Sequence, residues 1–519
     1  MNPNDVYLRD PIAERILAHA DQCPEAMDLL GTLRDGWDRA DAAGKRPRVA
    51  VKGLTGSSRA WLAAWLHARL ERPVLYVVPH GEGYESARDD LEYYRGGGHV
   101  LPFPEPDTLP YDPMSPHPNL SAERLDTLAR LATGADGIVL TTVRGVLQRI
   151  PAPDRIARAH LVLRVGAEAP PEHLLEKLVF MGYERFPEVE AVGHFARRGG
   201  ILDIYPTGQA DPLRIEFDGD TIASLRRFDA GTQRSLEQLG EARVLPRYEI
   251  VVEPAEAADI AQRLRDAGDE KAQGGANLFH EGMERFAGLY DRALVSLLDH
   301  LPEDVIVLLD DPDGLQARVE DLGEGIARAF AAAREEYPLI SPPEQLYLSA
   351  ADWESRVLSR RGADWMGTVA AAGGRDRHAR TLFIECRPVE VLQRSIDKLK
   401  DHLAELNAND LEPFILCDNQ GQRDRLFEMI GDAGGTLGVG LLSSGFTLPS
   451  AALAVLTDHE IFSRYRRRRR RLRRTGGLSM AELSTLKPGD FVVHEDHGVG
   501  VYKGMKRLTL GGQETDCLE

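Results

Sequence analysis

The chain has 519 residues, 43 % of them hydrophobic, and 82 acidic against 63 basic side chains give a formal net charge of −19. Such an acidic balance excludes a protein coated in nucleic acid but leaves room for local basic patches, because binding follows the distribution of charge. No apolar run reaches membrane-span length, the start MNPNDVYLRD lacks a secretory signal, and Cys23, Cys386, Cys417 and Cys517 fit neither a zinc site nor a disulfide framework. The expectation is a cytoplasmic protein of roughly three to five domains with no membrane partner and no metal.

Ile12, Ile16, Leu17 and Ala20, then Met27, Leu29 and Leu30, predict a leading helical arm interrupted near Pro24. PRVAVKGLTGSSRAWLAAWLHARL and PVLYVVPHGEGYESARDDLEYY each run from a short apolar segment through a turn into a helical pattern, the grammar of βαβ units. The first turn, with Gly53, Thr55, Gly56, Ser57, Ser58, Arg59 and Ala60, has the length and placement of a Walker A loop. Such a loop needs glycine where backbone wraps phosphate, lysine to reach the phosphates and a hydroxyl on magnesium. Ser58, Arg59 and Ala60 stand where glycine, lysine and that hydroxyl belong, so the loop predicts no ATP hydrolysis, as does an ordinary strand-to-helix turn.

A proline-dense segment leads to a helix from Ser121, a strand at Ile138–Leu140 and the helical EHLLEKLVFMGY. Residues 185–235 then read as short antiparallel strands, ILDIYP, PLRIEFDG and IASLRRFD, with turns at Gly199-Gly200, Pro206-Thr207-Gly208 and Asp218-Gly219-Asp220. Seven arginines, Arg185, Arg197, Arg198, Arg214, Arg226, Arg227 and Arg234, populate this stretch. Arginine at strand ends beside exposed Phe or Tyr suits a surface for carboxylates or phosphates; a solvated sheet face is the alternative.

Residues 246–305 read as mostly helical, and Val305–Leu309 restarts the α/β pattern, with Asp310-Asp311 placed like a Walker B pair. Beyond a boundary within residues 338–378, residues 381–460 alternate strand and helix as a small parallel sheet would. Arg464, Arg466, Arg470, Arg473 and Arg474 belong to a basic run able to meet DNA or an acidic partner. The final β-runs, broken by Gly498, Gly500, Gly504 and Gly511-Gly512, read as the opening of a small curved barrel that stops short. His494 and His497 have no Cys/His set nearby to make a metal site.

The motifs GLTGSSRAWL, LPYDPMSPHP, ARRGGILDIYP, RIEFDGDTIASLRRFD, the arginine run and KPGDFVVHEDHGVGVYKGM occur in this order. With them the chain resembles the N-terminal portion of bacterial transcription-repair coupling factors, and its first 330 or so residues resemble the non-motor part of the excinuclease component UvrB. The implied fold class is α/β multidomain. It comprises a degenerate P-loop helicase-like α/β domain, an inserted small antiparallel β-rich module, a further small parallel α/β domain, and a truncated C-terminal Tudor-like β-barrel. The boundaries expected are 1–150 and 246–335 for the helicase-like domain, 151–245 for the arginine module and 336–378 for a linker. Residues 379–460 then form the small α/β domain, 461–480 a basic linker and 481–519 the start of an RNA-polymerase-interacting domain.

The resemblance implies that the arginine module recruits the excinuclease component UvrA through Arg185 and Arg198, with Arg197, Phe195 and Tyr205 as neighbours. It implies docking on the RNA polymerase β subunit with Leu508 as an apolar contact. PYDPMSPHPNL is too short and aromatic-poor for the strand-separating hairpin of UvrB. The implied role is a scaffold in transcription-coupled nucleotide-excision repair. ATP, magnesium and double-stranded DNA translocation would belong to motor domains outside this segment. An active UvrB-like helicase and a DNA-binding module using Arg464–Arg474 are the alternatives.

Overall fold

The computed structural model describes residues 11–35, 48–269, 271–272, 278–367, 378, 380–390, 392, 395–431, 434–462, 489–494, 498–510 and 513–518. It divides into two compact units, one of Met1–Leu161, Phe180–Gly182 and Leu245–Arg469, the other of Val162–Val179, Tyr183–Val244 and Arg470–Glu519.

The first unit is built on a seven-stranded sheet. Its strands lie in the order Arg380–Phe383, Arg48–Lys52, Gly362–Trp365, Ile306–Asp310, Val74–Val77, Ile138–Thr141 and Val100–Phe103, and every neighbouring pair is parallel. Val74–Val77 and Val100–Phe103 are apolar throughout, and Ile138–Thr141 and Ile306–Asp310 are apolar up to their last residue, because both faces of the sheet are covered. Alternation divides their side chains: Leu75, Val77, Val307 and Leu309 enter one core, Val74, Tyr76, Ile306 and Leu308 the other. The helices Ser58–Leu70, Glu82–Arg95 and Pro118–Ala132 make crossover connections between successive strands.

The expectation of a linker over 336–378 is corrected by the strand Gly362–Trp365, which lies inside the sheet. Its sequence GADW carries an acid and no apolar alternation, so periodicity does not reveal it. The acid is neutralised internally. Arg48 Nε donates to Asp364 Oδ1 at 3.1 Å, His378 Nε2 lies 2.7 Å from Asp364 Oδ2, and both Arg48 and Asp364 are buried. Burial pushes the Asp364 carboxyl up, yet Arg48 and His378 outweigh it and hold the group below the ordinary carboxylate range. Gly362 is required by close packing: a Cβ there would lie 1.7 Å from the Val307 carbonyl oxygen.

A second sheet of this unit orders Arg387–Pro388, Phe446–Leu448, Leu453–Thr457, Glu412–Cys417 and Thr436–Val439. It is mixed rather than parallel: the last three strands run parallel and the first two pair antiparallel. Phe414, Leu416, Phe446 and Val455 join the core that holds Trp61 and Trp65, so the expected separate unit over 379–460 shares a core with the large sheet. The reading of 246–305 as mostly helical is also corrected. Only Ala257–Asp266 reaches ten residues there, and the other described helical segments are turns of three or four.

The second unit contains a six-stranded sheet in the order Ser235–Gln238, Thr221–Phe228, Leu213–Asp218, Ile201–Ile204, His194–Arg198 and Glu184–Arg185. All its pairs are antiparallel except the last, which is parallel. The hairpins turn where glycine predicts: Arg198 faces Ile201 across Gly199-Gly200, Asp218 faces Thr221 across Gly219-Asp220, and Gly199 and Gly219 both have φ of +61°. The module starts later than residue 151, because Ile156 and Ala159 of the helix Pro153–Ala159 belong to a core of the first unit.

The last described strands form two antiparallel hairpins, Phe491–His494 with Gly498–Val501 and Met505–Leu510 with Gln513–Leu518. Among the described residues each is a separate two-stranded sheet, and no closed barrel is present. Tyr502 is buried, whereas Val499 and Val501 are 72 % and 47 % exposed.

Candidate functional site

Arg185 is exposed on the two-residue edge strand Glu184–Arg185, in register with Phe195. Arg197 and Arg198 end the adjoining strand, just before the Gly199-Gly200 turn. Arg198 Nη2 donates to Asp203 Oδ2 at 3.1 Å while its side chain stays 49 % exposed. Asp203, only 1 % exposed, also accepts from Arg214 Nε and Nη2 at 2.8 and 2.9 Å. Arg214 in turn lies over the Phe228 ring at 4.3 Å. One buried carboxylate therefore ties a structural arginine to an accessible one. Arg197 pairs with Glu172 and Arg226 with Glu216.

Phe195 and Tyr205 do not flank these arginines on the surface. Phe195 is 1 % and Tyr205 6 % exposed, and the Tyr205 hydroxyl donates to the Ala210 carbonyl at 2.8 Å. The strand that carries Phe195 lies between two neighbours, and sending a large ring inward is worth roughly 1.5–3 kcal/mol. The half-buried aromatic next to Arg185 is instead Phe186, stacked on His194 with ring centroids 3.8 Å apart. Its sequence position beside Arg185 was the available signal.

The phosphate-type loop joins the strand Arg48–Lys52 to the helix Ser58–Leu70. Gly53 and Gly56 have φ of +95° and +54°. The loop closes on itself: the Thr55 amide donates to Ser58 Oγ at 3.0 Å, and Ser58 Oγ donates to the Thr55 carbonyl at 2.6 Å. Arg59 pairs with Asp310, the acid at the end of the strand Ile306–Asp310, and the Tyr76 hydroxyl donates to the same carboxyl at 3.0 Å. Burial lifts Asp310 above the ordinary carboxylate range, and Arg59 and Tyr76 oppose that rise. Ala60 is buried. Ser57 Oγ donates to the Ser444 carbonyl at 2.7 Å. Asp311, at φ +60°, caps the helix Pro312–Glu336.

The segment PYDPMSPHPNL is folded down onto the first unit. The Tyr111 hydroxyl donates to the Ser341 carbonyl at 2.9 Å, Ser115 N to Glu281 at 2.8 Å and Ser115 Oγ to Glu284 at 2.8 Å. Glu284 also lines a cavity of about 60 Å³ with Pro116, Glu249, Ile250 and Leu294. One grouping was not read from the sequence: Asp418, Asp458 and His459, brought together by the ends of two paired parallel strands. His459 Nε2 is 3.2 Å from Asp418 Oδ1, the distance of an ion pair. Arg464, Arg466, Arg470, Arg473 and Arg474 lie outside the described residues, and so does the side chain of Leu508, whose backbone is in the strand Met505–Leu510. Among the described residues no helix is long and apolar enough to cross a membrane.

Residues 161–249 match the UvrB interaction domain, and residues 486–519 match the CarD-like/TRCF RID domain. The transcription-repair-coupling factor of Myxococcus xanthus is 30 % identical over 529 residues, covering 91 % of this chain and 44 % of that protein. That of Bacillus subtilis is 25 % identical over 90 % of this chain and 43 % of its own length, and that of Haemophilus influenzae 25 % identical over 81 % and 39 %. The chain thus spans less than half the length of these relatives. Over most of its own length it matches the bacterial transcription-repair coupling factors at moderate identity and carries the UvrB interaction and CarD-like/TRCF RID domains.

Proposed function

We propose that this chain is a scaffold for transcription-coupled nucleotide-excision repair in the bacterial cytoplasm, recruiting the excinuclease component UvrA through the arginine module. The observation that carries this reading is the accessible pair Arg185 and Arg198, displayed on a segment that matches the UvrB interaction domain. A guanidinium held by one bond to a buried carboxylate keeps free donors for a partner's carboxylates, and its orientation is already fixed. Arg197 and the Phe186–His194 stack extend the surface, while Phe195 and Tyr205 brace it from within.

The match of residues 486–519 to the CarD-like/TRCF RID domain supports a second contact, made to RNA polymerase through its β subunit, with Leu508 as an apolar element. The phosphate-type loop should not turn over ATP, since its arginine is committed to Asp310 and Ala60 offers no hydroxyl for magnesium. In the intact protein, ATP-driven movement on double-stranded DNA would come from domains beyond this segment.

Calorimetry with purified UvrA tests the reading. Joint replacement Arg185→Ala and Arg198→Ala is expected to weaken binding at least thirtyfold, on the order of 2 kcal/mol, while the circular dichroism spectrum stays unchanged. Unaltered affinity in the paired variant would place the contact elsewhere.

A further inference from the structure

A phosphate-binding loop uses glycine so that its backbone can close on a phosphate, and points its amides at the anion. Here that approach is made to the chain itself. A Cβ on Gly53 would lie 2.1 Å from the Ile384 carbonyl oxygen, and one on Gly56 would lie 2.3 Å from Ser444 Oγ. Ser57 and Ser58 are wholly buried.

We propose that the turn Ser443–Gly445, assisted by Ile384, is a built-in occupant of the phosphate cradle. It orders the loop and bars nucleotide by filling its space, independently of the missing lysine and hydroxyl. This goes beyond the scaffold role, which needs only that ATP is not turned over.

The turn is anchored on both sides. Asp90 accepts from Ser443 N and Ser443 Oγ, each at 2.6 Å. Glu460 accepts from Gly445 N at 2.6 Å and, through its other oxygen, from Thr457 N and Oγ1 at 2.7 Å. Ser57 Oγ closes the contact from the loop side at 2.7 Å. Behind it, Phe446 packs on Trp61 of the helix that follows the loop, with centroids 5.9 Å apart. Charge opposes an incoming phosphate as well, because Asp90 and Asp310 are both buried and Arg59 is already paired with Asp310. A nucleotide entering this space would have to displace Ser444 and break its hydrogen bond with Ser57.

Two measurements on the full chain test the proposal. In hydrogen exchange, Asp90→Asn removes one anchoring oxygen, and the amides of residues 53–58 and 442–446 are expected to exchange at least tenfold faster together. Unchanged protection of Ile306–Asp310 would show the sheet intact. Faster exchange of 442–446 with the loop unaffected would overturn the proposal, as would no change in either. In the second measurement, Ser58→Gly, Arg59→Lys and Ala60→Thr together restore the missing Walker residues, and a fluorescent ATP analogue with magnesium is the probe. No binding at millimolar analogue is expected while Ile306–Asp310 stays protected. Binding by this variant would mean that the side chains alone had disabled the loop, and would overturn the proposal.

Discussion

Arg214→Ala is expected to destabilise the six-stranded sheet of the second unit by about 3–5 kcal/mol, the usual result of removing one partner from a buried ion pair. Asp203 is almost fully buried and takes both of its strong hydrogen bonds from Arg214. Without Arg214 its remaining cation is Arg198, half exposed and making one bond at 3.1 Å. The guanidinium also covers the Phe228 ring, so packing is lost together with charge. Arg198→Ala should by contrast cost less than about 1 kcal/mol, because Asp203 keeps both Arg214 bonds and an exposed arginine contributes little. Native-state hydrogen exchange at Ile201–Ile204 and Leu213–Asp218 reads both values locally, without assuming that a multidomain chain unfolds in two states. Equal losses for the two variants would refute this division of labour. The contrast also bears on function, since the arginine proposed to meet a partner is the one whose removal the fold tolerates.

The second large effect is a dependence on pH centred on Glu284. Burial raises its carboxyl to about 7, with Glu281 and Glu249 adding to the rise, and the hydrogen bond from Ser115 is not enough to offset them. Its ordinary value is 4.5, so between the two values the folded chain binds more protons at this site than the unfolded chain. The stabilising contribution is therefore complete below pH 4.5 and lost as pH rises through about 7. At about 1.4 kcal/mol per pH unit, the gap amounts to roughly 3 kcal/mol. Glu284→Gln keeps an acceptor for Ser115 Oγ and removes the titration. The variant is expected to be more stable than the wild type at pH 8 by roughly that amount, and the advantage should vanish near pH 4.5. Thermal unfolding of both proteins across this range measures it, and parallel profiles would rule out Glu284 as the source.

Local rules made much of this protein legible. The apolar runs around Val49, Leu75, Val139 and Leu308 specify covered parallel strands because alternation there sends side chains into two cores. Gly199-Gly200 and Gly219 specify their hairpins because those turns need positive φ. Ser58, Arg59 and Ala60 in a Walker-like frame already argue against ATP turnover, since the chemistry depends on side chains that are absent.

Other features are set by residues far apart in the chain, and no window of sequence contains them. Gly362–Trp365 is a strand because its acid meets Arg48 across the sheet. Arg59 is spent on an aspartate 251 positions away. The Ser444 carbonyl that meets Ser57, the proposed occupant of the loop, lies 387 positions further along the chain. The arginines of the module look alike in sequence, and only Asp203 separates Arg214, which packs on Phe228, from Arg198, which keeps half its surface in water. Local pattern determined which segments form the covered strands and where the hairpins turn. Tertiary structure decided which charges are buried, because desolvation and pairing depend on what the completed fold brings alongside each group.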